Sequence, residues 1–444
     1  MSRFRNRNFF VGVLAGTAAL VIMLAALVPV SRAEPNDDVV RFNLTTSGRD
    51  LYKLAIPKPI GDPAIAQMTT DVASTDLGLA GFFKVVDQKA YLANLVVEGL
   101  GINPQDWKNV GAEGVIKARA TAFGNDVKLE FRLYEVTKGD QPVLSKDYRG
   151  SVSSARALVH QWCNDVVRYY TGEDGFFNSR IAFASSTAGR RRDIFVMDWD
   201  GSSVASVTTN KSHNMLPTWA PDGSELLFTS FSGGKPDLYA IGSRGGKQRV
   251  ISARNGINTG GTYSPDGSKI AVTLSQDGNS EIYLLSAAGA ILKRLTNNPF
   301  IDTSPSWSPD GSHLAFVSDR HGNPQIWMMA ADGSGQTKLT RRGNYNQEPS
   351  WCPRKDQNQI AFTARDEKFS YDIFTVNVDN PDQVKRITEG TGSNMHPTWA
   401  PNGRALAYES TRGGIWISTA DARVERQIYR GNASAPNWSP ALKH

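Results

Sequence analysis

The second half of the chain repeats one short motif six times. Four of the copies read aromatic, Ser or Ala, Pro, Asp or Asn, Gly. The copies begin at Trp219, Tyr263, Trp307, Trp351, Trp399 and Trp438, and they are 44, 44, 44, 48 and 39 residues apart. This spacing is the period of a four-stranded blade, so the repeat predicts a six-bladed β-propeller. The aromatic residues recur at one repeat position, which favours packing between blades over stacking on a ligand.

Two apolar runs follow each of the first five motifs, as expected for successive strands of one blade. A further copy of the first run begins at Ile181 without a motif before it, whereas the motif at Trp438 has no run after it. The ring must therefore close by sharing a blade. We predict that residues 435–440 form the innermost strand of the blade that begins at Ile181, which leaves no open inner edge between the chain ends.

The region before the propeller has no such period. Residues 34–172 are predicted to form a small α/β domain of the α+β kind, with helices on one side of a sheet, and residues 173–444 the propeller. Residues 63–79 and 153–170 have helical patterns, and residues 114–148 read as strands. For the second helix we expect Ser153 or Ser154 as the cap and Gly172 as the stop. Its apolar face is predicted to contain Ala157, Leu158, Trp162, Val166 and Tyr169.

The N-terminus has the pattern of a secretory signal. Arginines at positions 3, 5 and 7 precede the apolar residues 9–30, and Ser31 and Ala33 are small residues suited to cleavage after Ala33. The alternative is an uncleaved anchor, because the apolar run is long enough to span a bilayer. Removing residues 1–33 leaves 45 basic residues against 43 acidic ones. That balance argues against a nucleic-acid partner, and we expect an exported monomer without direct membrane insertion.

The sequence has no catalytic or cofactor-binding motif that we recognise. Nucleophile elbows, phosphate-binding loops, zinc-protease motifs and dinucleotide fingerprints are absent, and the six histidines lack metal-ligand spacing. We therefore expect no cofactor, no metal and no catalytic residue. Cys163 and Cys352 are predicted to be buried free thiols. The rival hypothesis is a propeller lyase or hydrolase acting on a polysaccharide, with Asp302, Glu348 and His396 at one mouth of the channel. A constitutive scaffold subunit of the outer membrane is a third possibility.

Strand directions in a blade predict which segments share a mouth of the propeller. The Pro-Asp-Gly turns fall on one mouth, and the links between blades fall on the other. These links carry polar, amide and aromatic side chains that suit a partner's loop or peptide, although such residues also satisfy turn backbone. The link residues of interest are His213, Asn258, Thr259, Asp302, Thr303, Asn346, Gln347, Glu348 and His396.

With these features in view, the chain resembles the TolB family of periplasmic propeller proteins of the Tol-Pal envelope system. The resemblance rests on residues 131–139 (FRLYEVTKG), the SRIAF segment at Ser179, the repeated motifs and the terminal APNWSP. Similar blades occur in prolyl-oligopeptidase-like hydrolases, but those carry a nucleophile elbow that this sequence lacks. The resemblance implies a non-enzymatic adaptor needed for outer-membrane integrity and for envelope constriction at division.

The resemblance also implies two partners. The peptidoglycan-associated lipoprotein Pal is expected at the propeller mouth, where the candidate contacts are Asn258, Thr259, Asp302, Thr303, Asn346, Gln347, His213 and His396. The inner-membrane protein TolA is expected on the N-terminal segment, where the candidate contacts are Glu34, Asp37, Asp38, Val39 and Val40. Both sets are expectations from the family, placed on the matching positions of this sequence.

Overall fold

The structure is a computed structural model that describes residues 51–186, 191–365 and 370–442. The predicted signal, residues 1–33, and the predicted TolA-binding residues Glu34, Asp37, Asp38, Val39 and Val40 lie outside the described residues. No described helix is long and apolar enough to cross a membrane.

The front part of the described chain is one sheet with helices packed on it. In chain order it contains β1 (Tyr52–Ala55), β2 (Ile60–Gly61), α1 (Pro63–Leu79), β3 (Phe83–Val85), α2 (Leu95–Glu98), α3 (Pro104–Asn109), β4 (Gly114–Phe123), β5 (Asp126–Glu135), β6 (Leu144–Ser151) and α4 (Ala155–Thr171). The strand order is β3-β1-β4-β5-β6, with β2 also pairing with β4. We call this part the front domain.

The two long helices were predicted at nearly their observed bounds. Helix α1 begins at Pro63 because the Asp62 carboxylate accepts from the backbone amides of Ala64 and Ile65, both at 3.0 Å. Helix α4 ends where Gly172 takes a left-handed φ of 76°.

Ser154 is the N-cap residue of α4, as predicted, but the mode of capping and the buried face differ from the prediction. Neither predicted serine caps α4 through its side chain, because a short 3-10 turn precedes the helix and Ser151 caps that turn. The buried face is also rotated, because α4 contacts both α1 and strands β5 and β6 of the sheet and so buries a broad band of residues. That band contains Val159, Trp162, Cys163, Val166, Val167 and Tyr170. The predicted Ala157, Leu158 and Tyr169 are only partly buried.

The remaining described strands form six four-stranded sheets. The first strands are β7 (Arg180–Ser185), β8 (Asp193–Asp198) and β9 (Ala205–Ser206). Blade 1 contains β10 (Asn214–Trp219), β11 (Glu225–Ser230), β12 (Asp237–Gly242) and β13 (Arg249–Ser252). Blade 2 contains β14 (Asn258–Tyr263), β15 (Lys269–Leu274), β16 (Glu281–Ser286) and β17 (Ile291–Arg294). Blade 3 contains β18 (Asp302–Trp307), β19 (His313–Ser318), β20 (Gln325–Ala330) and β21 (Thr337–Lys338).

Blade 4 contains β22 (Asn346–Trp351), β23 (Gln359–Arg365), β24 (Tyr371–Asn377) and β25 (Val384–Arg386). Blade 5 contains β26 (Asn394–Trp399), β27 (Ala405–Ser410), β28 (Ile415–Thr419) and β29 (Glu425–Tyr429). The last strand is β30 (Ala433–Trp438). It pairs with β7 in the order β30-β7-β8-β9, with Trp438 opposite Ile181, so the predicted closing blade is confirmed.

The repeated aromatic residues pack between blades, as predicted. The indole nitrogens of Trp219, Trp307 and Trp399 donate to backbone carbonyls of the preceding blade, at 3.0, 3.3 and 2.9 Å. All three side chains are buried. Cys163 and Cys352 are buried free thiols, which confirms that expectation as well.

Candidate protein-binding face of the propeller

The innermost strand of every blade begins at the same mouth of the propeller. We call this the link mouth, because the links between blades lie there, and we call the opposite side the turn mouth. The first residues of these strands are Asn214, Asn258, Asp302, Asn346, Asn394 and Ala433. The candidate residues around Asn258, Asp302 and Asn346 therefore do share one mouth.

The asparagines that begin four of these strands fasten one blade to the next. Asn258 is fully buried, and its amide donates to Asp237 of blade 1 at 3.3 Å and to the Arg254 carbonyl at 2.7 Å. Asn346 donates in the same way to the side-chain oxygen Oε1 of Gln325 in blade 3 at 2.9 Å. Buried amides need such partners, so these two side chains hold the ring together and expose no surface to a partner protein.

Asp302 occupies the same position in blade 3 but brings a negative charge. Arg320 and the Asn298 amide each donate to its carboxylate at 2.7 Å, and the Arg320 guanidinium also lies 4.9 Å from the Trp327 ring centre. The carboxylate is fully buried and charge-paired. The Asp302 side chain therefore also belongs to the buried framework of the propeller.

The second residue of these strands is more accessible. Thr259, Thr303 and Gln347 are partly buried and line the mouth beside the buried first residues. Thr259 exchanges a hydrogen bond with Thr229 of blade 1 at 3.0 Å. His213, in the link before blade 1, is exposed. These four predicted residues remain accessible to a partner.

The third residue of every innermost strand has a left-handed backbone. These residues are Leu216, Gly260, Ser304, Glu348, His396 and Ala435, with φ between 49° and 63°. Strand pairing shifts register at the same point in all six blades. Each strand thus carries a β-bulge at the link mouth, which redirects its side chains. Only Gly260 could have signalled this backbone in the sequence.

Two of the bulge residues form a charged brace. His396 lies between two carboxylates, with Nε2 3.0 Å from Glu348 and Nδ1 3.4 Å from Glu409. Glu409 also accepts from the Ala435 amide of β30 at 2.7 Å. Burial lowers the pKa of His396, but Glu348 and Glu409 outweigh it and raise that pKa to about 10. The charged imidazole of His396, together with Glu348 and Glu409, therefore links blades 4 and 5 to the closing strand.

An arc of exposed apolar side chains lies on one part of the link mouth. Phe231, Ile257, Phe300 and Ile301 are 37%, 40%, 42% and 51% exposed. They occupy the links into blades 2 and 3 and the neighbouring turn of blade 1. We call them the apolar arc. The links into blade 5 and the closing strand carry Ser393 and Asn432 at the position of Ile301, so the arc is one-sided.

The links beside the apolar arc are mainly basic. Within these described segments the basic residues are Lys211, Arg254, Arg341, Arg342 and Arg430, against the single carboxylate of Glu389. An apolar centre with a charged surround is typical of a protein-binding surface.

Models of two families match the chain. The TolB beta propeller domain matches residues 167–442, and the TolB amino-terminal domain matches residues 40–142. The chain belongs to the TolB family. The resemblance noted in the sequence is thereby confirmed, as is the fold of an α/β domain followed by a six-bladed propeller. The family is non-enzymatic, so the chain is not an enzyme.

Individual relatives agree with this assignment. Tol-Pal system protein TolB of Ruegeria sp. (strain TM1040) is 30% identical over 224 residues, or 49% of this chain and 51% of that protein. The Geobacter sulfurreducens protein of the same name is 39% identical over 196 residues, or 43% of this chain and 45% of that protein. The chain thus spans about half the length of the curated relatives that it matches. The crystal structure of TolB from Acinetobacter baumannii has a TM-score of 0.78 and 25% identity, and the match covers 88% of this chain and 97% of that one.

The TolB front domain packs at the turn mouth, on the side opposite the apolar arc. Arg354 and Arg404 both pair with Glu173, and Asn402 donates to the Asp174 carbonyl at 3.2 Å. Arg354 and Asn402 replace the Asp of other motif copies, and both contact the junction with the front domain.

The triad of the rival enzyme hypothesis is not assembled. Glu348 and His396 do meet, but Asp302 is held separately by Arg320. No group of three or more possible metal ligands occurs within residues 51–186, 191–365 and 370–442.

Proposed function

We propose that the chain is a periplasmic adaptor of the Tol-Pal system that binds the lipoprotein Pal at the link mouth. Membership in the TolB family supports the assignment of the chain to the Tol-Pal system. The observation that carries the binding face is the one-sided apolar arc beside basic links, on the mouth away from the front domain. In this proposal the adaptor supports outer-membrane integrity and envelope constriction at division.

The proposed Pal-binding residues are of two kinds: buried residues that support the mouth and accessible residues that can contact Pal. Asn258, Asp302 and Asn346 hold the blades in place, and His396 braces the channel. The contact surface consists of His213, Thr259, Thr303 and Gln347 together with the apolar arc. Few contacts usually dominate such an interface, and large apolar side chains at its centre are the strongest candidates.

The TolA contact is proposed on family grounds. It would use Glu34, Asp37, Asp38, Val39 and Val40 after cleavage of residues 1–33. The proposed division of the chain is a signal at 1–33, a front domain at 34–172 and a propeller at 173–444.

Affinity capture from solubilised envelope tests the Pal proposal. The bait is the mature chain, residues 34–444, as wild type, as Ile301→Glu and as Val250→Glu. Val250 is a matched control, since it is 54% exposed but lies on the outer strand β13. We expect wild type and Val250→Glu to recover a peptidoglycan-associated lipoprotein and Ile301→Glu to lose it. Equal recovery by Ile301→Glu, or no recovery by wild type, would contradict the proposal.

A further inference from the structure

A buried histidine lies where the front domain meets the closing blade. Nδ1 of His160, in α4, is 2.7 Å from a carboxylate oxygen of Asp76 in α1. Nε2 of the same ring is 3.5 Å from Asp200, in the turn between β8 and β9 of the propeller. The side chains of His160, Asp76 and Asp200 are 6%, 0% and 2% exposed. One imidazole thus lies between a carboxylate of the front domain and a carboxylate of the propeller.

With both carboxylates ionised, the charges around this ring balance only when the ring is protonated. Arg156 of α4 pairs with Asp200, so the cluster contains two carboxylates and one guanidinium besides His160. The Cys163 thiol also faces Asp76. Arg180 and Asp198 pair with each other at 3.4 Å beside the same ring, so they add no net charge. If both carboxylates stay ionised, a neutral imidazole leaves one buried negative charge without a partner, which is costly.

Electrostatics favour the protonated ring. Burial disfavours the charged form, but the carboxylates of Asp76 and Asp200 outweigh burial and raise the pKa of His160 above its ordinary 6.5. Burial raises the pKa of Asp76, whereas His160 and Arg156 overcome burial at Asp200 and lower its pKa. A cavity of about 120 Å³ next to His160 gives room for water to exchange its proton.

We propose that Asp76, His160 and Asp200 form a protonation-dependent lock between the front domain and the propeller. With the ring protonated, His160 joins the two carboxylates across the domain boundary. With the ring neutral, Asp76 and Asp200 lose their shared partner and the contact between α4 and the β8–β9 turn loosens. This inference does not rest on the proposed function.

Apolar packing limits how far such loosening extends. Phe176, in the segment after α4, packs against Trp199 and Trp438, with ring centres 5.0 and 5.3 Å apart. The apolar cluster that contains these rings continues into the front domain, where it includes Trp162. An interface with a continuous apolar core does not separate readily. We therefore expect local opening of the first half of α4 and of the β8–β9 turn, with the domains still attached.

Hydrogen exchange of the full chain between about pH 6 and about pH 9 tests the lock. The readout is the opening constant of amides in residues 156–163 and 199–204, after correction for the chemical exchange rate. Since opening releases the ring proton, this constant should rise by up to about tenfold per pH unit from about pH 6.5 until the raised pKa is passed.

Three variants make the test specific. His160→Gln keeps an amide donor toward Asp76 but cannot be charged, so its opening constant should not change with pH. Asp200→Asn lies on the propeller side of the boundary and should weaken the pH dependence even if His160→Gln folds poorly. Glu173→Gln removes a domain contact whose partners are arginines, so it should retain the wild-type slope. A flat wild-type profile, or an unchanged slope in both His160→Gln and Asp200→Asn, would overturn the proposal.

Discussion

The backbone amide of Trp219 donates to the side chain of Asn437, 218 residues further along the chain, at 3.0 Å. The Trp219 indole donates to the Asn437 carbonyl, also at 3.0 Å. On the other side, the Trp438 amide donates to Thr398 of blade 5 at 3.0 Å. The last strand therefore holds the closing blade to both of its neighbours.

Deleting residues 435–444 should open the ring. The deletion removes most of β30, including the buried Trp438, and truncating a buried tryptophan alone costs about 3–5 kcal/mol. We expect a loss of at least that size in the free energy of unfolding, measured by denaturant titration. A chain that ends at Leu442 is the control and should keep wild-type stability. A deletion variant as stable as this control would show that β30 does not close the ring.

Asn346→Ala should destabilise the propeller by about 1–3 kcal/mol, because it removes the hydrogen bonds from the buried Asn346 amide to Gln325 and to the Arg342 carbonyl. Gln347→Ala, one residue further, is the matched control. Its side chain is partly exposed, so the change in unfolding free energy should stay within about 0.5 kcal/mol. If both variants lose the same stability, the Asn346 side chain does not stabilise the contact between blades 3 and 4.

His396→Gln should destabilise the protein by about 1–3 kcal/mol at neutral pH, since Glu348 and Glu409 lose the cation between them. The pKa of His396 is raised to about 10, so its contribution is complete below the ordinary pKa of 6.5 and is lost as the pH rises through about 10. Denaturant unfolding at about pH 6 and about pH 10.5 should therefore show a gap between wild type and variant that closes at high pH. A constant gap would rule out the charged brace.

Arg354→Met should weaken the contact between blade 4 and Glu173. Glu173 is more than a third exposed, so solvent screening limits the loss to about 1 kcal/mol. The difference in melting temperature from wild type should shrink in about 1 M salt. Arg341→Met is the control, because the Arg341–Asp382 pair is about 60% exposed on both sides and should contribute nothing measurable. A salt-independent loss would instead indicate that Arg354 acts through packing.

The repeat made the propeller and its closure predictable. The unmatched run at Ile181 and the unmatched motif at Trp438 required one shared blade, and the structure pairs these two residues. Helix α1 was predictable for a different reason, since Asp62 and Pro63 mark its start in the local sequence.

The mouth was less predictable, because its residues depend on neighbours distant in sequence. Asn258 and Asn346 are polar and follow links, a pattern that predicts surface residues. Both are buried, because they hydrogen-bond to Asp237 and Gln325 of the preceding blades. The bulge was not predicted, because Glu348 and His396 are not residue types that indicate a left-handed backbone.

A hydrogen-exchange footprint of purified Pal on the full chain tests the central claim most directly. The lipoprotein would be prepared from the same organism without its lipid anchor. We predict slower exchange on binding in residues 213–216, 230–232, 257–260 and 299–304 at the link mouth, and no change in residues 221–224, 265–268 and 309–312 at the turn mouth. Protection confined to the turn mouth or to the front domain, with the link mouth unchanged, would contradict the account.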